Sequence, residues 1–160
     1  MTLKHSVDIK AEVPMEEVDF RLLRVAALAT LRQQGVETPI EMTVVITDDA
    51  SVHDLNRRFR GVDRTTDVLA FAEEDIRGPF AGGAPGFPRY LGDIVISLER
   101  ASEQAKEVGC ALTEELELLI VHGTLHLLGH DHADPQQKAR MWEAQSTLLD
   151  LLSIEAPLPE

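Results

Sequence analysis

The sequence predicts an α+β fold in which a small mixed sheet of about four strands packs with about five helices. Three observations carry this prediction: the chain has 160 residues, its apolar spacing switches between strand-like and helical periods, and no segment repeats. This length is enough for one sizeable core and too short for two ordinary domains. We therefore expect one domain over residues 1–160.

The first half of the chain predicts two strands and two helices. In chain order these are a strand near Leu3–Ala11, a helix from about Met15 to Gln34, a strand over Ile40–Thr47 and a short helix through Phe59. Gly35 closes the longer helix, because glycine readily adopts the conformation that follows a helix end. Asp48 or Asp49 is a suitable cap for the short one.

The second half predicts two further strands and three helices. They are strands around Asp67–Ala72 and Gly92–Ser97, helices over Leu98–Val108 and Thr113–Leu128, and a last helix after Asp134 and Pro135. Thr113 is the predicted cap of the middle helix. Residues 73–90 are rich in glycine and proline, which predicts a long flexible loop that is either a surface insertion or a lid. Residues 155–160 are predicted to form a frayed tail.

Composition and charge argue against a membrane protein, a secreted protein and a disulfide-bonded protein, and they limit how the chain can bind nucleic acid. No apolar run has transmembrane length, and the N-terminal residues alternate instead of forming the apolar block of a signal peptide, which predicts a cytoplasmic location. Cys110 is the sole cysteine, so the chain cannot form an internal disulfide. The formal net charge of -13 opposes long-range attraction of nucleic acid, so any phosphate contact must depend on local cations.

The segment VHGTLHLLGHDH carries three histidines at the spacing of a tridentate metal site. His122 and His126 lie four residues apart and share one helix face, from which both rings can reach one ion. Gly129 ends the helix and lets the chain turn so that His132 reaches the same ion. Three imidazoles suit one zinc ion and leave a position open for chemistry, which predicts a metal-dependent hydrolase with its site at the end of a central helix.

Two neighbouring residues carry open interpretations, and a third argues against one class of enzyme. His130 is either a partner that supports a ligand or a solvated side chain, and Asp131 either orients a ligand imidazole or caps the turn. The histidine spacing equals that of the zinc-protease motif H-E-x-x-H-x-x-G-x-x-H, but Gly123 stands where those proteases carry the glutamate that acts as general base. This difference argues against a standard zinc peptidase.

Read whole, H-G-T-L-H-L-L-G-H-D-H resembles the signature of the YbeY family of bacterial endoribonucleases. Residues 56–71, NRRFRGVDRTTDVLAF, and residues 91–97, LGDIVIS, resemble two further family segments. The likeness spans most of the chain. The departures are Thr65 where proline is frequent, Ala70 where serine is usual and Ala72 where proline is usual, and they affect the local loop geometry.

The resemblance implies a single-strand-specific, metal-dependent endoribonuclease acting in 16S rRNA 3′-end maturation and ribosome quality control. It implies ribosomal RNA as substrate, with small-subunit ribosomal proteins or an assembly GTPase as partners, and neither DNA nor a membrane is expected. Arg60 matches the arginine implicated in the family's function and is the predicted phosphate clamp or transition-state stabiliser. Arg57 and Arg58 are equally well explained as cations at the negative end of a helix.

The reaction route and two other function classes stay open. Either water or the RNA 2′-hydroxyl attacks the phosphate, and Asp67 and Asp93 are weak candidates for a general base. The principal alternative function is a ribosome-assembly binding factor whose metal is structural, which fits the acidic composition. A zinc peptidase is the less favoured alternative.

Overall fold

A computed structural model describes residues 4–15, 18–73 and 88–154. Within these residues four strands form one mixed sheet: β1 (Ser6–Ala11), β2 (Ile40–Thr47), β3 (Val68–Ala72) and β4 (Arg89–Ser97). The strand order is β1-β2-β4-β3; β1 and β4 each pair in parallel with β2, and β3 pairs antiparallel with β4. The predicted α+β architecture is confirmed.

Five helices accompany the sheet in the described residues. They are α1 (Phe20–Gln33), α2 (Asp49–Arg60), α3 (Leu98–Val108), α4 (Leu112–Leu127) and α5 (Pro135–Leu151). The bounds of α3 and the start of α5 agree with the sequence prediction, because Ser97 and Asp134 cap these helices with their side chains.

Three predicted boundaries were wrong. The first helix begins at Phe20 and not near Met15, since the Asp19 side chain accepts a hydrogen bond from the Arg21 backbone at 2.9 Å. The middle helix begins at Leu112 behind Ala111, which offers no side-chain cap, so Thr113 is not the cap. Strand β4 begins at Arg89, because parallel pairing with β2 extends back to Ile40.

The predicted loop over 73–90 lies mostly outside the described residues, as does the whole of the predicted tail over 155–160. At the loop's far end, Arg89 and Tyr90 belong to β4. Leu3, at the start of the first predicted strand, is also outside the described residues, and the strand itself begins at Ser6.

Helix α4 is the central element of the main core. Its apolar side chains pack on the sheet face that carries Met42, Ile94 and Ile96, and α1 packs beside it. The other face of the sheet is covered near β3 and β4 by α2, where Val52 packs against a second small cluster. Because α4 is buried on most of its surface, its C-terminal end is held firmly in the molecule.

Gly92 lets two strands come together beside α4. Its φ of +149° lies in the region that side chains disfavour, and a Cβ there would collide with the Phe71 carbonyl oxygen. This close approach holds β3 against β4, and β3 in turn forms one wall of the groove described below.

No helix in the described ranges is both long enough and apolar enough to cross a membrane.

Candidate metal centre

The end of α4 positions the histidine cluster. The Gly129 amide donates to the His126 carbonyl at 3.0 Å and the His130 amide donates to the Leu125 carbonyl at 3.0 Å, a pair of bonds that closes the helix as a Schellman motif. Gly129 has a φ of +99°, so the motif depends on its conformational freedom. Past this turn the chain doubles back and brings His132 beside the helix.

His122, His126 and His132 converge. One ring nitrogen from each lies within 4.8 Å of the other two, and the Nε2 atoms of His122 and His126 are 3.1 Å apart. Two nitrogens bound to one tetrahedral zinc at about 2.0 to 2.1 Å would be separated by about 3.3 Å. The donor set therefore fits a metal that prefers imidazole ligands, and these residues can hold one such ion.

Two side chains of α5 support the cluster from behind. Gln145 is fully buried, and its Oε1 lies 2.6 Å from Nδ1 of His122. That contact requires the proton on Nδ1, because an amide oxygen only accepts, and it leaves Nε2 of His122 free as a ligand. Trp142 meets the His122 and His132 rings edge-on, at 6.2 and 5.9 Å between centroids. The cluster is thus held by a hydrogen bond and an aromatic wall.

The electrostatic environment favours neutral imidazoles. Burial lowers the pKa of His122 below its usual range, against the opposing effect of its hydrogen bond to Gln145. Burial, followed by the neighbouring rings of His122 and His132, lowers the pKa of His126 to about 4. Metal binding requires deprotonated imidazole nitrogens, so the unloaded protein presents both rings in the ligating form near neutral pH.

His130 and Asp131 lie beside the cluster but contact other groups. The His130 Nε2 atom lies 2.7 Å from Gln34 Oε1 on α1, and burial lowers the pKa of His130. The Asp131 Oδ1 atom accepts a hydrogen bond from the backbone amide of His132 at 2.7 Å. His130 therefore ties the turn to α1, and Asp131 stabilises the turn that presents His132.

The cluster opens into a groove of about 660 Å³ between α4, the following turn and β3. Arg60, at the end of α2, reaches the same groove, where its guanidinium donates to the Ala70 carbonyl and lies 5.4 Å from the centroid of the Phe71 ring. Asp67 also lines the groove, and its carboxylate accepts a hydrogen bond from Gln104 at 3.2 Å. The cation of Arg60, the carboxylates of Asp67 and Asp131 and the three histidines thus share one cavity.

Four other polar residues considered in the sequence do not line this cavity: Arg57, Arg58, Arg64 and Asp93. Arg57 and Arg58 both pair with Asp54, at 2.8 and 3.3 Å, and Arg64 is exposed. The Asp93 carboxylate accepts a hydrogen bond from the Tyr90 hydroxyl. Of the two aspartates considered as general bases, only Asp67 is in the groove.

Gly123 lies where α4 packs most closely on the sheet. A Cβ at this position would lie 3.0 Å from Cδ1 of the fully buried Ile94. Any side chain at this position would require Ile94 to move by a few tenths of an ångström, so the base of the zinc-protease motif is absent and its position is tightly packed. The packing supports the argument against a standard zinc peptidase.

No sequence pattern indicated that Gln145 and Trp142 belong to the site. Gln145 follows His122 by 23 residues, and no short motif links the two positions. The sequence offers one clue: Gln145 is a polar residue at a position on the apolar face of the last helix, which faces the core. A buried polar residue needs a hydrogen-bond partner, but the sequence does not show which residue that partner is.

Comparison with known proteins agrees with this site and fold. The family model described as Endoribonuclease YbeY matches residues 7–153. A protein named Endoribonuclease YbeY from Roseiflexus castenholzii is 46% identical over 142 residues, covering 86% of each chain, and a protein of the same name from Paramagnetospirillum magneticum is 37% identical over 100% of this chain and 98% of its own.

A solved structure has a similar fold. The solution structure of TM1509 from Thermotoga maritima matches with a TM-score of 0.56 and 25% identity, covering 91% of this chain and 88% of that one. The family resemblance seen in the sequence is confirmed, and the chain belongs to the Endoribonuclease YbeY family.

Proposed function

We propose that this protein is a cytoplasmic, single-strand-specific, zinc-dependent endoribonuclease that acts in 16S rRNA 3′-end maturation and ribosome quality control. The observation that carries the proposal is the placement of three convergent histidines and Arg60 in one groove of a chain from the Endoribonuclease YbeY family. Small-subunit ribosomal proteins or an assembly GTPase are the proposed partners in this role.

His122, His126 and His132 would hold the metal, and Gln145 would fix the tautomer of His122. When bound, a zinc ion supplies Lewis acidity toward a phosphate oxygen and makes water more acidic. The groove has a volume of about 660 Å³, and His132, one of the residues that line it, is exposed to solvent.

Arg60 supplies the positive charge for the phosphate. Its guanidinium is anchored by the Ala70 carbonyl and the Phe71 ring, which restrict its motion before substrate arrives. One of its five N–H donors is used in that anchor, and the remaining donors suit a phosphate in the planar geometry that arginine offers. Charge that develops on the phosphate during cleavage is stabilised by this fixed cation.

Two routes of attack fit the groove. The 2′-hydroxyl of the RNA can attack the adjacent phosphate and leave a cyclic phosphate end, or water can attack directly and leave an uncyclised phosphate. Of the two aspartates considered as general bases, Asp67 is the better candidate in either route, since it lines the groove and Asp93 does not. Chemical analysis of the product ends distinguishes the routes.

The proposal is tested with end-labelled small-subunit ribosomal RNA precursor and with metal-analysed wild type, Arg60→Gln, His126→Ala and His130→Ala. We expect cleavage to fall in the Arg60 and His126 variants while circular dichroism shows folded protein. His130→Ala should lose less activity than either, because His130 lines the groove but contacts Gln34 instead of the cluster. Equal cleavage by all four proteins would indicate a contaminating nuclease and contradict the proposal.

The net charge of -13 favours one alternative, a ribosome-assembly factor that docks on basic ribosomal proteins and uses the metal only for stability. That function predicts that His126→Ala unfolds the protein or weakens docking. It also predicts that wild type with a full metal complement cleaves no RNA.

A further inference from the structure

The end of α2 carries an aromatic side chain that the proposed chemistry does not use. Phe59 is 63% exposed, although phenylalanine is commonly a core residue. A single exposed apolar side chain needs no explanation, but Phe59 is part of a cluster of two aromatic rings and two guanidinium groups.

The cluster is arranged around the two rings. The Phe59 and Phe71 rings meet edge to face, with centroids 5.8 Å apart and an angle of 66° between their planes. The Arg58 guanidinium lies 5.4 Å from the centroid of Phe59, and the Arg60 guanidinium lies 5.4 Å from that of Phe71. Because Phe59 remains mostly exposed, a flat ligand can still reach its ring.

Arg60 joins this cluster to the groove. It stacks on Phe71 and also lines the cavity that holds the three histidines. Phe59 and Phe71 do not line this cavity, but Phe59 directly precedes Arg60 in α2 and its ring contacts Phe71, so a strand whose phosphate meets Arg60 can extend onto Phe59.

The two arginines of the cluster differ in whether an acidic side chain neutralises their charge. Arg58 pairs with Asp54 at 3.3 Å, so part of its charge is neutralised. Within the part of the chain that the structure describes, no ion pair includes Arg60, which is thus the cation available to a phosphate. A phosphate site next to an exposed aromatic ring matches the two chemical features of a nucleotide in a single strand.

We propose that Phe59 is a stacking platform for one unpaired base of the RNA, adjacent to the phosphate that Arg60 binds. The inference rests on the proposed function and extends it by naming a side chain that binds substrate at the groove's rim. It also gives a physical reason for preferring single strands, since a base within a duplex is already stacked on both faces and unavailable to Phe59. A protein partner is the competing occupant, because aromatic and arginine side chains also concentrate in protein interfaces.

The test compares wild type with Phe59→Leu and Phe59→Trp, using full-length, metal-loaded protein and a labelled single-stranded RNA. Leucine keeps the apolar bulk but removes the aromatic face, whereas tryptophan retains one. Leu151→Ala is the control, because Leu151 is 68% exposed at the far end of α5. Single-turnover cleavage gives the protein concentration for half-saturation and the maximal rate constant separately.

For Phe59→Leu we expect the half-saturation concentration to rise about tenfold, as for the loss of one stacked base, with the maximal rate within about twofold of wild type. Tryptophan and the Leu151 control should behave like wild type. RNAs with an abasic residue at successive positions locate the base: one position should weaken wild type by a similar factor and leave Phe59→Leu unaffected.

Unchanged half-saturation in Phe59→Leu, or equal effects of every abasic residue on both proteins, would overturn the stacking proposal while wild-type cleavage leaves the proposed function intact. Loss of binding to small-subunit ribosomal proteins, with RNA binding unchanged, would assign the platform to a protein partner and overturn it too. Absence of RNA cleavage by wild type would contradict the proposed function itself.

Discussion

At the level of single residues, Gln145 determines how His122 can act. The Oε1 atom of its buried side chain accepts a hydrogen bond from Nδ1 of His122, 2.6 Å away, while its own Nε2 has no hydrogen-bond partner in the described part of the protein. An unsatisfied buried N–H is costly, so this amide is a poor choice for stability alone. Its position is better explained by its role in orienting a ligand imidazole.

Gln145→Leu should weaken zinc binding by about 10- to 100-fold, because the ring of His122 loses the acceptor that fixes its tautomer. Gln145→Glu should retain most of the affinity, since a carboxylate also accepts the Nδ1 proton. Competition with a chromophoric chelator measures the affinity, and circular dichroism checks the fold.

Gln34→Leu is the matched control for Gln145→Leu. Gln34 also contacts a histidine, but that histidine is His130, which lies outside the three-residue cluster. The zinc affinity of Gln34→Leu should equal that of wild type. If Gln145→Leu binds zinc as tightly as Gln34→Leu, the orienting role of Gln145 is wrong.

The histidine cluster shows what sequence can predict at this scale. His122, His126 and His132 were identifiable because helical spacing and a glycine turn determine their convergence locally. Gln145 was not, because its contact with His122 depends on how α5 packs against α4. Arg60 could be selected only through the family resemblance, since a cluster of arginines at a helix end has several explanations.

At the level of elements, helix α4 carries two buried acidic residues in its first half. Glu115 is 5% exposed and Glu117 is 7% exposed. Burial, followed by the negative charge of Asp67, raises the pKa of Glu115 to about 7. Burial, followed by the charge of Glu114, raises the pKa of Glu117 to about 7.

These shifts make stability depend on pH in a definite direction. A glutamate with a raised pKa holds its proton in the folded state at a pH where the unfolded chain has released it. The free energy of unfolding therefore falls as pH rises from about 4.5 to about 7, and the loss is complete above the folded-state value.

Glu115→Gln should remove the contribution of Glu115 to this dependence, because the amide has no proton to lose, while the contribution of Glu117 remains. The free energy of unfolding of the variant, relative to that of wild type, should rise by on the order of 2 kcal/mol between about pH 5 and about pH 8. Urea denaturation at several pH values measures the difference. Glu103→Gln removes an exposed charge from α3 and serves as control; equal pH profiles for the two variants would contradict the burial argument.

Element boundaries followed the local capping chemistry. Asp48, Ser97 and Asp134 cap their helices with side-chain oxygens. Helix starts with such capping residues can be predicted from sequence. The start of α4 was misplaced because Ala111 caps it without a side-chain bond, so tertiary packing sets this boundary. The start of β4 was misplaced because pairing with β2 determines it, and pairing is non-local.

At the level of the whole molecule, the number and type of elements were predictable but the sheet order was not. Hydrophobic periodicity reports each strand separately, whereas the order β1-β2-β4-β3 depends on which strands pair. That order places β3 at the edge, where it forms a wall of the groove with Arg60 and the histidines. The sequence therefore predicted the convergence of the three histidines but not the cavity that relates them to Arg60.

The whole-molecule charge has a consequence for RNA binding. With a net charge of -13, the protein repels a phosphate chain except where cations are concentrated, so binding should involve few phosphate contacts. For single strands, each neutralised phosphate adds about 0.7 to the slope of log affinity against log salt concentration. A shallow slope is therefore expected for wild type.

Arg60→Gln should reduce the magnitude of this slope by about 0.7, since it removes one direct phosphate contact. Arg24→Gln changes the net charge equally but lies exposed on α1, away from the groove, and should leave the slope nearly unchanged. Affinity measured by fluorescence anisotropy over a range of salt concentrations separates the two effects. If both variants shift the slope alike, overall charge governs RNA binding and Arg60 is not a phosphate clamp; a change confined to Arg60→Gln supports a local contact that acts against the repulsion of the whole molecule.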